Sequence, residues 1–259
     1  MTKDPQELLR LNQLTFHYSA HSAPVIKDLT LSIYSGEILT IMAPSGTGKS
    51  TLFKLITGLA APNAGSIELL QQESSARREI GYMPQQDLLF EWRTILDNVT
   101  LPLELQGIGR KERYERAKER MKTFGLAGTE HSYPHQLSGG MRQRANFLRA
   151  TLSGERLLLL DEPFSSLDAM TRLSMQTWLL RQWEEATERP TLLFISHDID
   201  EALYLSDRIA VFSDSPLSDY TLFTVPFSRP RSHEQLLEAE GASLKREILR
   251  HLTKEVTTS

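Results

Sequence analysis

The stretch "EILTIMAPSGTGKSTLFKLITGL", Glu37 to Leu59, constrains the fold more than any other part of the chain. A short apolar, β-leaning run passes straight into a glycine-rich turn, and the turn passes straight into an apolar-periodic helix. That order commits the chain to an α/β arrangement, with the turn at the carboxyl end of a buried strand, where such sheets bind ligands. Three further runs have the same character: "RLLLLDE", "TLLFISH" and "RIAVFS". Each is continuously apolar and ends on polar residues, as strands of a parallel sheet covered on both faces do.

The turn itself has the chemistry of a phosphate cradle. Such a loop needs inward-pointing backbone N–H groups, a lysine for the outer phosphates and a hydroxyl for magnesium. Here Gly46 and Gly48 let the backbone come close, Lys49 brings the charge and Ser50 the hydroxyl. The candidate loop is Ala43, Pro44, Ser45, Gly46, Thr47, Gly48, Lys49, Ser50 and Thr51. The common pattern has glycine at the position of Ala43. Glycine is required there only if φ is positive, so alanine is expected to serve with a negative φ. The helix beginning "STLFKLITGL" turns its N-terminal dipole toward the bound anion.

Composition narrows the rest. The 259 residues are 40% hydrophobic and 24% charged with a net charge of −4, which gives no basic surface for nucleic acid. The absence of cysteine excludes disulfides, thiolate metal sites and cysteine nucleophiles, and fits a reducing compartment. "MTKDPQELLRLNQ" lacks the pattern of a secretory signal. The "LLLL" run, Leu157 to Leu160, falls far short of the about 20 apolar residues of a membrane span. Work at a membrane is therefore expected to go through a partner.

Two more clusters carry chemistry. In "ERLLLLDEPFSSLDA", Asp161 and Glu162 close an apolar strand; an aspartate there can hold magnesium, and the glutamate can take a proton from water. "HQLSGGMRQRANFLRA" places Ser138, Gly139 and Gly140 before a helix, a second anion-binding turn.

Taken together, these motifs resemble the ATP-binding-cassette family. "LSGGMRQR" is similar to that family's signature, with Met141 where glutamine is usual. The resemblance implies a P-loop NTPase (RecA-like) α/β fold: a parallel-sheet core, an N-terminal antiparallel β region and a helical insertion. It implies ATP and Mg2+, with Ser50, Gln85 and Asp161 as metal ligands. Tyr18 looks like the aromatic that stacks on adenine, with Phe16 the competing candidate. Gln85 looks like the glutamine that relays nucleotide state, with Gln86 one position away. Asp168 resembles the residue linking two active sites across a dimer, and His197 the switch histidine at the γ-phosphate. Glu162, His197 and Gln85 are thus the candidate catalytic residues. His131 and His135 flank Pro134 and form no helical metal pair.

The resemblance covers roughly residues 8 to 215 and divides the chain into four parts. These are residues 1–86, the antiparallel region and phosphate loop; 87–136, the helical subdomain; 137–215, the signature helix and second part of the core; and 216–259, a tail helix. In the subdomain, Ala117, Met121 and Phe124 are spaced for one buried face, and in the tail Leu244, Ile248 and Leu252 mark an apolar stripe.

"VPFSRPRS" and the helix after it are similar to the tail of the nitrate, sulfonate and taurine importers. "GYMPQQDLLFEWRTILDNVTLPLELQG" looks like members handling thiamine-precursor pyrimidines, with Phe90 and Glu91 departing from their Leu-Pro-Trp. The implied protein is the ATPase subunit of an importer, a peripheral homodimer on the cytoplasmic face of the membrane. Its implied partners are two membrane-spanning permease subunits and a solute-binding protein, with no nucleic acid. An exporter or lipoprotein-release ATPase shares every nucleotide motif. A nucleic-acid cassette would usually show a second cassette, a coiled coil or a basic surface, and a P-loop kinase leaves "LSGG" and His197 unexplained.

Overall fold

The computed structural model describes residues 6–19, 21–70, 80–86 and 88–253. The chain forms two compact units, one of Met1–Glu73 with Glu188–Ser259 and the other Ser74–Thr187. Asp87, the first residue of the expected helical subdomain, lies outside the described residues.

In the first unit, β1 (Glu7–Phe16) pairs antiparallel with β2 (Ile26–Tyr34) and β4 (Ala64–Leu69), in the order β2-β1-β4. A second sheet carries β3 (Ile38–Met42) between two parallel neighbours, β7 (Thr191–Ile195) and β8 (Arg208–Val211). All five residues of β3 and of β7 are buried, which is why neither alternates apolar with polar. The edge is β9 (Thr221–Thr224), antiparallel to β8. The tail, residues 216–259, carries β9 ahead of the expected helix. With only Phe223 buried and a partner on one side, β9 leaves a faint trace in the sequence. Helices α1 (Lys49–Ile56), α7 (Ile199–Leu205) and α8 (Ala239–Leu252) complete the unit. On α8, Ile248 is fully buried while Leu244 and Leu252 are partly so.

The second unit pairs β5 (Ile80–Met83) parallel to β6 (Leu157–Asp161), with Tyr82 beside Leu159. Its helices are α2 (Ile95–Val99), α3 (Leu101–Leu105), α4 (Arg110–Thr123), α5 (Gly139–Thr151) and α6 (Ala169–Glu184). Helix α4 is charged on most of its surface and buries Ala117 and Met121. Phe124, just past its end, packs on Phe147 of α5 and Trp178 of α6, with ring centroids 6.0 and 5.1 Å away. Burying each such ring contributes about 1.5–3 kcal/mol, so this aromatic cluster holds the three helices together.

Candidate functional site

The loop after β3 is built around the charge of Lys49. Lys49 is 6% exposed, and its ammonium donates to the carbonyls of Ala43 at 2.9 Å and Pro44 at 2.8 Å. A buried ammonium requires such acceptors, and the loop supplies them from its own backbone. Thr47 Oγ1 also donates to the Pro44 carbonyl, at 2.9 Å.

Gly46 and Gly48 both have positive φ, 80° and 107°. At Gly48 a Cβ would lie 2.3 Å from Val25 Cγ1, so glycine is needed there for space as well as conformation. Ala43 is not among the residues of positive φ, and its methyl is buried. The first loop position therefore does not need glycine.

Helix α1 starts at Lys49 with no side-chain cap and no acidic residue in its first turn. No side-chain cap and no first-turn carboxylate competes with an external anion for the positive end of its dipole. Ser50 is exposed at this end, and Thr51 Oγ1 shares a 2.8 Å hydrogen bond with the Tyr18 hydroxyl. Tyr18 is 66% exposed, whereas Phe16, edge-on to it at 5.1 Å, is 8% exposed. The accessible ring face beside the loop is that of Tyr18.

At the far end of β7, Ser196 is buried and His197 is exposed. Asp198 then caps α7, its side chain accepting from the N–H groups of Asp200 and Glu201.

The second unit brings other candidates together. Asp161 ends β6 almost fully buried. Tyr82 on the neighbouring strand hydrogen-bonds it; burial first, and then the Asp161 charge, push the Tyr82 hydroxyl up to about 12. The phenol therefore stays protonated and donates. Tyr82 is a participant the sequence did not single out, since its contact depends on the β5–β6 pairing.

Glu162 follows with φ 47°, a left-handed backbone that costs a non-glycine residue roughly 1–2 kcal/mol. The turn after it holds that geometry, with Ser165 N and Oγ donating to the Glu162 carbonyl at 3.2 and 3.0 Å. Strain of this kind gathers at functional sites. Gln85 Nε2 donates to Glu162 Oε2 at 2.8 Å, which leaves the Gln85 amide oxygen as an acceptor.

Ser138 and Asp168 are both helix N-caps. Ser138 Oγ accepts from Met141 N at 3.3 Å at the head of α5, with Gly139 and Gly140 forming its first turn. Asp168 Oδ1 accepts from Thr171 N at 3.1 Å at the head of α6, and hydrogen bonds from Thr171 hold its carboxyl below the usual range.

Among the described residues no three His, Cys, Asp or Glu side chains gather to hold a metal ion. The candidate donors are, in the first unit, the Ser50 hydroxyl and, in the second, the Asp161 carboxylate and the Gln85 amide oxygen. These hard oxygens fit Mg2+, which keeps several waters and phosphate oxygens rather than taking an all-protein cage.

The ABC transporter family profile matches residues 26–165, more than half of the chain. The chain belongs to the ABC transporter family. It is 50% identical to the formylaminopyrimidine import ATP-binding protein of Halalkalibacterium halodurans, over 96% of this chain and 98% of that protein. It is 40% identical to the taurine import ATP-binding protein of Escherichia coli, over 81% of each chain. Among solved structures it is similar to a dimeric ATP-binding cassette in a post-hydrolysis state with ADP and Pi bound. That likeness has TM-score 0.72 and 28% identity, and covers 85% of this chain and 100% of the other. Within the family, this ABC protein is the ATP-binding, ATP-hydrolysing subunit of an importer of the nitrate, sulfonate and taurine type, built on the P-loop NTPase fold.

The geometry of Ala43 gives a first test of this ABC ATPase. The Ala43 contact with Lys49 is made by its carbonyl, which glycine retains. Ala43→Gly is expected to change ATP affinity by less than about tenfold, or 1.4 kcal/mol. It also deletes a buried methyl and loosens the unfolded chain, at a cost of about 1 kcal/mol of stability. A nucleotide titration beside a thermal melt reads both; a loss of ATP affinity as large as that of Lys49→Ala would show the loop is misassigned.

Proposed function

We propose that this ATPase works as a homodimer on two permease subunits at the cytoplasmic face of the membrane, with a solute-binding protein delivering the solute. Lys49 and the first turn of α1 receive the β- and γ-phosphates, and Tyr18 stacks on the adenine. Ser50, Asp161 and Gln85 would hold Mg2+, which when bound offsets charge on the phosphate oxygens. Glu162 accepts a proton from the attacking water, and His197 donates a hydrogen bond to the γ-phosphate. Ser138, Gly139 and Gly140 act on the nucleotide of the partner copy, and Asp168 links the two sites.

One observation carries this reading: a buried lysine, held by its own loop's carbonyls, at the head of a helix without an acidic first turn. Phosphate oxygens are the ligand that both the ammonium and the open helix end accept. No helix among the described residues is long and apolar enough to cross a membrane, which fits a peripheral subunit. The 50% identity to the formylaminopyrimidine importer's subunit supports a nitrogen-heteroaromatic solute for the assembled system.

The permease contact is assigned to the turn at Phe90–Trp92. Trp92 is 75% exposed and lies 5.0 Å, ring to ring, from Phe90. The turn is pinned from inside by the buried Asn98, whose amide donates to the carbonyls of Phe90, Arg93 and Thr94 at 3.0–3.1 Å. An exposed aromatic on a pinned turn is a ready anchor, because little order remains to be imposed on binding. Trp92→Ala is expected to leave ATP affinity and melting temperature of the isolated subunit unchanged. It should weaken assembly with the permease by about 2 kcal/mol, roughly thirtyfold in Kd, and uncouple uptake from hydrolysis. Reconstitution of the variant at parental affinity, or a large fall in its melting temperature, would contradict the assignment.

A further inference from the structure

We propose that Arg231, seconded by Arg229, is a positioning residue for His197, and that this is the role of the "SRPRS" stretch of the tail. The proposal rests on the reading that His197 contacts the γ-phosphate.

Helix α7, the next element after His197, is only seven residues long. A helix so short does not hold its own shape in water, so its position depends on what grips it. At its front, Asp198 caps it from within the chain that carries His197. At its back, the last carbonyls of any helix lack intrahelical partners and bear partial negative charge. Two guanidinium groups from the tail take these carbonyls. Arg231 Nη1 donates to Leu203 O at 3.2 Å, to Tyr204 O at 3.3 Å and to Ser206 O, while its Nε donates to Phe227 O at 3.1 Å. Arg229 Nη2 donates to Leu205 O at 2.7 Å and to Asp207 Oδ1 at 2.8 Å.

Arg231 is 7% exposed. A guanidinium at that depth is tolerated only when its donors are matched, and here they are matched by the carbonyls of Leu203, Tyr204, Ser206 and Phe227 together with the Asp207 carboxylate, 3.7 Å from Nη2. The same short helix is gripped twice more by the tail. Lys245 of α8 pairs with Asp200 at 2.6 Å, and the His233 ring stacks on Tyr204 with centroids 3.9 Å apart.

The grip also reaches β3, the strand that feeds the phosphate loop. Asp207, bonded by Arg229, accepts the N–H of Ile38 through its other oxygen at 2.9 Å, and Ser206 shares a hydrogen bond with Thr40. His197 stands two residues beyond the end of the buried strand β7 and immediately before the α7 cap, Asp198. With β7 fixed by its pairing to β3, the placement of α7 decides where the imidazole sits against the loop's ligand.

A double-mutant cycle on the full-length chain separates positioning from bulk stability. Arg231→Met is expected to lower kcat about tenfold while KM for ATP stays within about twofold, the signature of an interaction made in the transition state. His197→Ala alone is expected to lower kcat further. The combined variant should match His197→Ala, because there is then no imidazole left to misplace. Effects that multiply in the double variant, or a KM rise with kcat intact, would overturn the proposal. Should Arg231→Met not fold, the same cycle with Arg229→Gln, at the partly exposed arginine, decides the question by the same outcomes. If His197→Ala leaves kcat at the parental value, the assigned role of His197 fails and the proposal falls with it. That outcome is distinct from multiplication, which rejects positioning alone.

Discussion

Replacing Glu162 with glutamine is expected to leave ATP bound and to lower turnover by roughly 10² or more, the usual loss on removing a general base. The substitution isolates the proton transfer because so little else changes. Glutamine has the same length, and its carbonyl oxygen still accepts the 2.8 Å hydrogen bond that Gln85 Nε2 gives to Glu162 Oε2. The backbone stays in the left-handed region at φ 47°, where glutamine is strained no more than glutamate, so the turn through Ser165 is retained. What disappears is a carboxylate able to accept a proton from water. If each nucleotide is held between two copies, as proposed, ATP that binds without being consumed should hold the pair closed around it. Size-exclusion chromatography with ATP and magnesium is expected to show a dimer for Glu162→Gln. A variant that hydrolyses at the parental rate, or stays monomeric with ATP, would remove Glu162 from the role of base.

The contrast between Glu162 and Lys49 shows which parts of such a site are legible in sequence. Lys49 could be read because the phosphate cradle demands residue types at fixed spacing, and a strand and a helix flank it on cue. The four core strands β3, β6, β7 and β8 were equally plain, as continuous apolar runs have few other uses in a chain this polar. The left-handed backbone of Glu162 had no sequence signal, because neither glycine nor asparagine marks it. The Tyr82 contact with Asp161 and the Gln85 contact with Glu162 depend on which strands pair, and the order of motifs along the chain does not state that. Arg229 and Arg231 were hidden for a different reason. Charged residues default to the surface, so a buried guanidinium on helix carbonyls reads in sequence as one more solvated charge. The edge strand β9 was missed because four residues with one buried side chain give no usable period.

Mixing two inactive variants is expected to restore ATPase activity, which tests whether each site takes its signature turn from the other copy. Lys49→Ala removes the ammonium that the loop carbonyls of Ala43 and Pro44 hold in place. A homodimer of that variant has two loops unable to grip phosphate. Ser138→Arg removes the α5 cap that accepts from Met141 N, at a cost of about 1 kcal/mol, and fills the turn with a long side chain. A homodimer of that variant has two damaged signature turns. Both are expected to be nearly inactive alone. In a two-fold dimer with exchanged turns, one mixed pair collects both lesions in a single site and leaves the other site wholly parental. Random pairing of equal amounts makes about half of the dimers mixed, each with one intact site of two, so recovery is bounded near about a quarter of parental activity. Partial coupling between the two sites lowers this bound, and activity should peak at equal amounts. A site built within one chain predicts something different in kind. Every chain then carries one lesion in its own site, and no ratio restores activity. A flat, inactive titration would therefore reject the exchanged turn while leaving the phosphate loop assignment standing, because Lys49→Ala alone already reports on that loop through its loss of ATP affinity.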